Sequence, residues 1–218
     1  MFVITADQID SRNDHDRARE MIARLVAQSP QAFRLPPDQT AGDEIQLLIS
    51  DAQPTLDAIL ALHRSGHWSI GLGIGSVRTP LPVSTRQATG GAFIAARDAV
   101  LRAKRTEAHF ALETGETAID ETATGVEALL TMLLLLRQRR TPNGWEAGDL
   151  FESGLAQTDI ATSLGITTGA VSQRLKAAQY RVEQAARPAL VRLLEQLDHD
   201  PLEPKNTETG DNETDSTA

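Results

Sequence analysis

The sequence predicts a mixed α/β region followed by an all-helical one. Short apolar runs alternate with helically spaced segments as far as residue 115, and from Val126 onward only helical patterns remain. The stretch GLAQTDIATSLGITTGAVSQRLKAAQYRV, residues 154–182, has the spacing of two helices joined by a tight turn. At 218 residues the chain has material for one large domain or two small ones.

The elements follow in order. Phe2–Ala6 reads as a short buried strand. Residues 14–27 place Ala18, Ile22, Leu25 and Val26 at helical spacing, and Arg34-Leu-Pro-Pro37 is a connector because neither proline continues a helix. Ile45–Ile49 reads as a second strand, Leu56–Leu62 as a helix and Trp68–Val77 as a third strand. Gly90-Gly91 precedes a helix over 92–104. The next helix, Val126–Arg140, is apolar first and basic at its end, which suits the helix dipole. Pro142-Asn-Gly144 then breaks the chain, a helical pair spans 156–180, and Pro188 starts or kinks a last helix to Leu197. Residues 199–218 are almost free of apolar side chains and are expected to be disordered. The expected organisation is an α/β domain over 1–115, a connecting helix over 116–144, a helix-turn-helix domain over 145–198 and an acidic tail.

Composition narrows the class. Apolar residues make up 40% and charged ones 23%, as in a soluble globular protein, and the absence of cysteine excludes disulfides and thiolate metal sites. The start, MFVITADQIDSRND, lacks the basic and long apolar regions of a signal peptide. The longest apolar run, Ala128–Leu136, is about half of the ~20 residues that cross a bilayer. No membrane insertion and a cytoplasmic location are expected.

Net charge is −9, but it is unevenly spread. Between Gln157 and Arg192 five basic residues face two acidic ones, a net of +3. Screening confines charge to about 8–10 Å, so the local balance decides whether a surface can dock on phosphate.

Within 157–176 each spacing has a packing reason. Ala161 is small where two helices cross, Gly165 supplies a left-handed turn, and Val171 and Leu175 seat the second helix on Ile160 and Leu164. Thr167 or Thr168 can cap that helix. Its exposed side is then Thr168, Gly169, Ser172, Gln173 and Lys176, groups that reach base edges and phosphates. Arg174, Arg181 and the cluster Arg137, Arg139 and Arg140 are candidate phosphate contacts, although that cluster is equally well a solvated helix end. Double-stranded DNA is the expected partner. One such unit reads only a half-site, so a homodimer is expected. The leucine-rich helix over 126–140 is a candidate dimer element, with intrachain core as the alternative.

The first half carries a carboxylate pattern. Asp7 directly follows the first strand in ITADQIDS, and Asp43 stands in QTAGDEIQLLIS, a glycine turn running into the second strand. Further on, SIGLGIGSV is followed by TGGAFIAARDAV. These three pieces, in this order, resemble the two metal-binding carboxylates, the R-I-G-I-x-x-G strand and the G-x-x-V-N-x-A-A-R helix of class III and diguanylate nucleotide cyclases. Together with the helix-turn-helix, the layout resembles the SatD family of bacterial proteins over nearly the whole chain apart from the tail. The resemblance implies a ferredoxin-like, nucleotide-cyclase-type domain followed by an all-helical (winged) helix-turn-helix domain. It also implies Mg2+ at Asp7 and Asp43, Arg97 at a nucleotide, and a nucleotide effector.

The departures bear on activity. Gln39 stands four residues before Asp43, where cyclases carry the Lys or Glu that reads the purine, and Phe93 stands four before Arg97, where they carry a catalytic Asn. A phenyl ring cannot donate the hydrogen bond, whose loss can raise a barrier by about 2.7–4 kcal/mol. The expected function is a DNA-binding, transcription-regulatory protein whose cyclase-like domain senses or dimerises. The alternative is a metal-dependent enzyme acting on nucleotides through Asp7, Asp43 and Arg97. Asp7, Asp10 and Asp43 are also explained as turn and capping residues, with Asp10, Ser11 and Asn13 before a helix.

Two further patterns carry no function. Gly71-Leu-Gly-Ile-Gly75 has the wrong spacing for a dinucleotide fingerprint and reads as close backbone packing. His63 and His67 lack the Glu of a zincin motif and read as surface histidines.

Overall fold

Seven residues, Phe2–Gln8, form β1, the middle strand of a five-stranded mixed sheet. The computed structural model describes residues 1–11, 14, 16–40, 42–115 and 121–198. The other strands are β2 (Asp38–Gln39), β3 (Glu44–Ile49), β4 (Trp68–Ile74) and β5 (Phe110–Thr114), in the order β2-β3-β1-β4-β5. β1 runs antiparallel to both β3 and β4, β2 is antiparallel to β3, and β5 is parallel to β4. The helices are α1 (Ala18–Gln28), α2 (Ala52–Ser65), α3 (Gly91–Ala103), α4 (Glu121–Gln138), α5 (Pro142–Glu152), α6 (Gln157–Leu164), α7 (Thr168–Ala177) and α8 (Tyr180–Asp198). Among the described residues no helix is long and apolar enough to cross a membrane.

The period of two in β1 divides the core. Phe2, Ile4 and Ala6 join Ile45, Leu47, Ile49, Ile70 and Leu72 on one face, against α1, α2, α4 and α8. Val3 and Leu48 on the other face meet Ala92, Phe93 and Ala96 of α3. α3 lies unusually close to the sheet because β4 is Gly71-Leu-Gly73 there. A Cβ at Gly73 would fall 2.1 Å from the Ala92 carbonyl oxygen, and one at Gly71 2.2 Å from the Val100 nitrogen. These glycines are packing residues, as their spacing predicts.

Several expectations need correction. The helix expected from residue 14 begins at Ala18, whose N–H is accepted by Asp16 Oδ1 at 3.0 Å. The N-cap is Arg17, which makes no side-chain cap; Asp16, just before it, takes the first helical N–H, and neither Asp10 nor Ser11 is at the cap, while Asn13 lies outside the described residues. Pro142 breaks α4 but is also the first residue of α5, a helix the sequence pattern missed. Thr141 caps it by accepting from the Gly144 N–H at 3.2 Å. Pro188 lies inside α8, which starts eight residues earlier at Tyr180. β5 was not anticipated, and the third strand ends at Ile74 rather than Val77. No strand follows α7 among the described residues, which therefore contain no wing. His63 is buried, because α2 packs on the sheet along most of its length. The expected tail, 199–218, lies outside the described residues.

The proposed boundary near residue 145 falls within α5. α4 and α8 belong to the sheet's core: Val126, Leu130 and Leu134 of α4 pack there with Leu190, Leu194 and Leu197 of α8. Intrachain burial thus accounts for much of the leucine-rich helix. Leu129 and Met132 remain 46% and 68% exposed. α5, α6 and α7, which lie in the chain between α4 and α8, form a separate cluster, with Ala147, Ile160, Val171 and Leu175 at its centre and Tyr180 of α8 packed on them.

Candidate nucleic-acid interface

The pair α6–α7 is built as its spacing requires. Gly165 closes α6 at φ 64, a left-handed conformation that costs other residues energy, and nothing lies within 4 Å of a Cβ placed there. Glycine is needed for its backbone and not for space. Thr167 Oγ1 accepts from the Ala170 N–H at 3.1 Å and caps α7. Val171 and Leu175 are buried with Ile160 and Ala161. Leu164 packs against the same cluster but is only partly buried.

This anchoring leaves one side of α7 outside. Thr168, Gly169, Ser172, Gln173 and Lys176 are exposed, and positions 169, 172, 173 and 176 form one row on the helix surface. Gln173, Lys176 and Arg181 have no hydrogen-bond or ion-pair partner among the described residues. Ser172, Lys176 and Arg181 line a shallow groove with Gln157 and Gln179. Gln179, at φ 51, makes the turn into α8 that brings Arg181 beside α7. Gln157 and Gln179 are additions to the predicted set. Their polarity alone gave no signal, since their position depends on that turn.

The cationic balance is smaller than the sequence total suggests. Arg174 Nη1 donates to Glu146 of α5 at 3.1 Å, so it ties α7 to α5 as well as edging the surface. Arg187 is engaged by Glu183 at 2.7 Å and Glu152 at 3.2 Å. Arg137 and Arg140, expected as phosphate contacts, are buried, because α8 folds back across the end of α4. Both pair with Glu183, Arg140 at 2.7 Å, and Arg140 Nε also donates to the Ala178 carbonyl at 2.9 Å. Burial lowers Arg137 to about 10, against the pull of Glu183 and with the help of Arg140 and Arg187, so it stays charged at neutral pH. Burial pushes the Glu183 carboxyl up, but Arg137, Arg187 and Arg140 outweigh it and hold it below the ordinary value. Of the cluster, only Arg139 is exposed. Among the described residues, Lys176 and Arg181 are therefore cations without a partner at the α7 surface.

In the other half, the sheet sets the backbones of Asp7 and Asp43 near each other. Asp7 is registered opposite Glu44, and the Gln8 N–H donates to the Asp43 carbonyl at 3.2 Å. Asp7 is already ion-paired with Lys104 at the end of α3. Arg97 is exposed on α3 and makes no contact with either carboxylate, while Phe93 is buried beside Val3 and Leu48. Gln39 Nε2 donates to Asp16 Oδ2 at 3.0 Å and to the Gly42 carbonyl, bracing the turn that holds Asp43. Among the described residues no group of three or more His, Asp or Glu side chains is placed to hold a metal ion.

No protein-family model, curated protein or solved structure matches the chain.

Proposed function

We propose that this chain is a DNA-binding, transcription-regulatory protein that reads the major groove with α7. The row Gly169, Ser172, Gln173 and Lys176 carries the proposal: it is exposed and without side-chain hydrogen bonds or ion pairs among the described residues, on a helix whose opposite side is locked in place. Gln173 is the base-reading side chain, since an amide can pair bidentately with adenine, and Lys176 and Arg181 hold phosphates. Thr168 and Gly169 stand at the helix N-terminus, where backbone N–H groups suit a phosphate. Arg174 contributes at the edge when it leaves Glu146.

In this proposal the α/β half is a degenerate cyclase-like domain of ferredoxin-like type, as in the SatD family. The interleaved order β2-β3-β1-β4, with β1 antiparallel to both neighbours, supports that assignment. Magnesium at Asp7 and Asp43 would have to displace the Lys104 ammonium from Asp7, and the burial of Phe93 argues for sensing rather than turnover. A homodimer forms through the α4/α8 groove, where Leu129, Met132 and Val182 are exposed. Selection of bound fragments from genomic DNA, followed by anisotropy titration at two salt concentrations, tests the proposal. A preferred sequence bound more tightly than random duplex supports it, and uniform weak binding rejects it.

A further inference from the structure

Helices α1, α2, α4, α5 and α8 surround a cavity of about 360 Å3 at the junction of the two halves, in the size range of small-molecule sites. Four arginines line it, each from a different helix: Arg24 from α1, Arg64 from α2, Arg137 from α4 and Arg187 from α8. Only two carboxylates, Asp57 and Glu152, share the wall.

Three of these guanidiniums are held in place by fixed partners. Arg64 donates to both oxygens of Asp149, at 2.7 and 2.6 Å, and lies 4.2 Å from the Trp145 ring centroid. Arg187 donates to Glu183 through Nε at 3.1 Å and Nη2 at 2.7 Å, and through Nη1 to Glu152 of the cavity wall at 3.2 Å, a contact an incoming oxyanion has to displace. Arg137 is 4% exposed, pairs with Glu183 and donates to the Leu60 carbonyl at 3.2 Å, yet its buried Nε–H has no hydrogen-bond partner among the described residues. A guanidinium carries five N–H donors in a rigid fork, so the Asp149 contact leaves three unused on Arg64. Arg24 has no partner among the described residues. Asp57 reaches Arg187 only at 3.9 Å, a contact that an incoming oxyanion replaces readily.

Gathering like charges in a partly desolvated pocket is unfavourable; Glu183 and Asp149 offset it from behind, and within the wall Glu152 and Asp57 offset Arg187 alone. We propose that the cavity binds a small polyanion whose phosphate or carboxylate oxygens are taken by Arg24, Arg64, Arg137 and Arg187. Planar forks of this kind match either oxyanion bidentately. The site joins α1 and α2 of the sheet layer to α5 and α8, which flank α7. The proposal does not depend on DNA binding and is tested without it.

Calorimetric titration of the full chain with sodium pyrophosphate and with trisodium citrate, at ionic strength held constant with NaCl, is the experiment. At least one of the two gives a saturable single-site isotherm, and which one does so separates phosphate from carboxylate recognition. Arg24→Gln weakens that binding at least tenfold while leaving the melting midpoint without anion unchanged, because Arg24 is exposed and unpaired; Arg24→Lys restores part of it. Failure of both anions to saturate, or an Arg24→Gln protein that binds as the parent does, overturns the proposal.

Discussion

Arg140 and Glu183 form a buried ion pair at 2.7 Å that fastens the end of α4 to the start of α8, and α5, α6 and α7 lie in the chain between them. Glu183 is fully buried and takes three arginines, Arg137, Arg140 and Arg187. Removing the shared acid leaves uncompensated buried cations. Glu183→Ala is expected to lower stability by roughly 3–5 kcal/mol in urea unfolding. Glu146→Ala, which breaks only the exposed pair with Arg174, should cost no more than about 1 kcal/mol.

His63 makes a second stability prediction, as a function of pH. Burial pushes it down to about 4, with Arg137 and His109 adding repulsion, and neither ring nitrogen has a hydrogen-bond partner among the described residues. The unfolded chain holds a proton there below about pH 6.5, which the folded chain takes up only near 4. Protons therefore bind the unfolded state more strongly across that window, and stability rises with pH through it. Between pH 7 and pH 4 the parent should lose on the order of 3 kcal/mol from this group alone. His63→Leu should flatten that part of a stability–pH curve measured by urea unfolding; an unchanged slope would place the titration elsewhere.

The contact between β4 and α3 is equally testable. Gly73→Ala puts a methyl against the Ala92 carbonyl and the Ala96 nitrogen, both backbone atoms of α3. No side chain can rotate away, so the helix must shift outward. Overpacking of this kind costs roughly 1–3 kcal/mol. Gly125→Ala on α4, where nothing lies within 4 Å, should be neutral or slightly stabilising in the same assay.

What the sequence revealed depended on how local the determinant was. Gly165, Thr167, Val171 and Leu175 act within one turn or two adjacent helices, and the α6–α7 pair was legible from their spacing. Arg137 and Arg140 were misread because a charge in sequence does not declare its partner, and Glu183 lies 46 residues from Arg137. β5 was missed since Phe110–Thr114 is short and ends in Glu113 and Thr114, and its pairing partner, β4, lies well upstream. His63 read as a surface residue because its burial depends on α2 packing over the sheet. The strand-end position of Asp7 was legible in the sequence, but the Lys104 that holds its carboxylate comes from the far end of α3.

Dimerisation has a specific surface to test. Leu129 and Met132 of α4 and Val182 of α8 stand exposed along one apolar groove, and Val182 also borders the groove beside α7. A second copy seated there would set two α7 helices in a fixed relation, as two half-sites require. Met132→Glu should convert a dimer to a monomer in light scattering, with little loss of stability because Met132 is 68% exposed in the single chain. A parent that is already monomeric at working concentration would remove the dimer from the proposal.

Two substitutions on α7 separate base reading from charge. Gln173 and Lys176 are both exposed and have no hydrogen-bond or ion-pair partner among the described residues, so neither change should disturb the fold. Gln173→Ala removes an amide without altering charge. It should weaken the preferred site by about 1–3 kcal/mol and leave binding to random duplex nearly unchanged, so that the specificity ratio falls. Lys176→Ala removes one phosphate contact. It should weaken specific and random binding alike and reduce the slope of log K against log salt by about one. Arg181→Ala should follow Lys176 rather than Gln173, because Arg181 is a cation that lines the same groove as Lys176. Anisotropy titrations of the three variants on both duplexes at several salt concentrations distinguish these patterns. Variants that all behave as the parent would mean that α7 does not enter the groove.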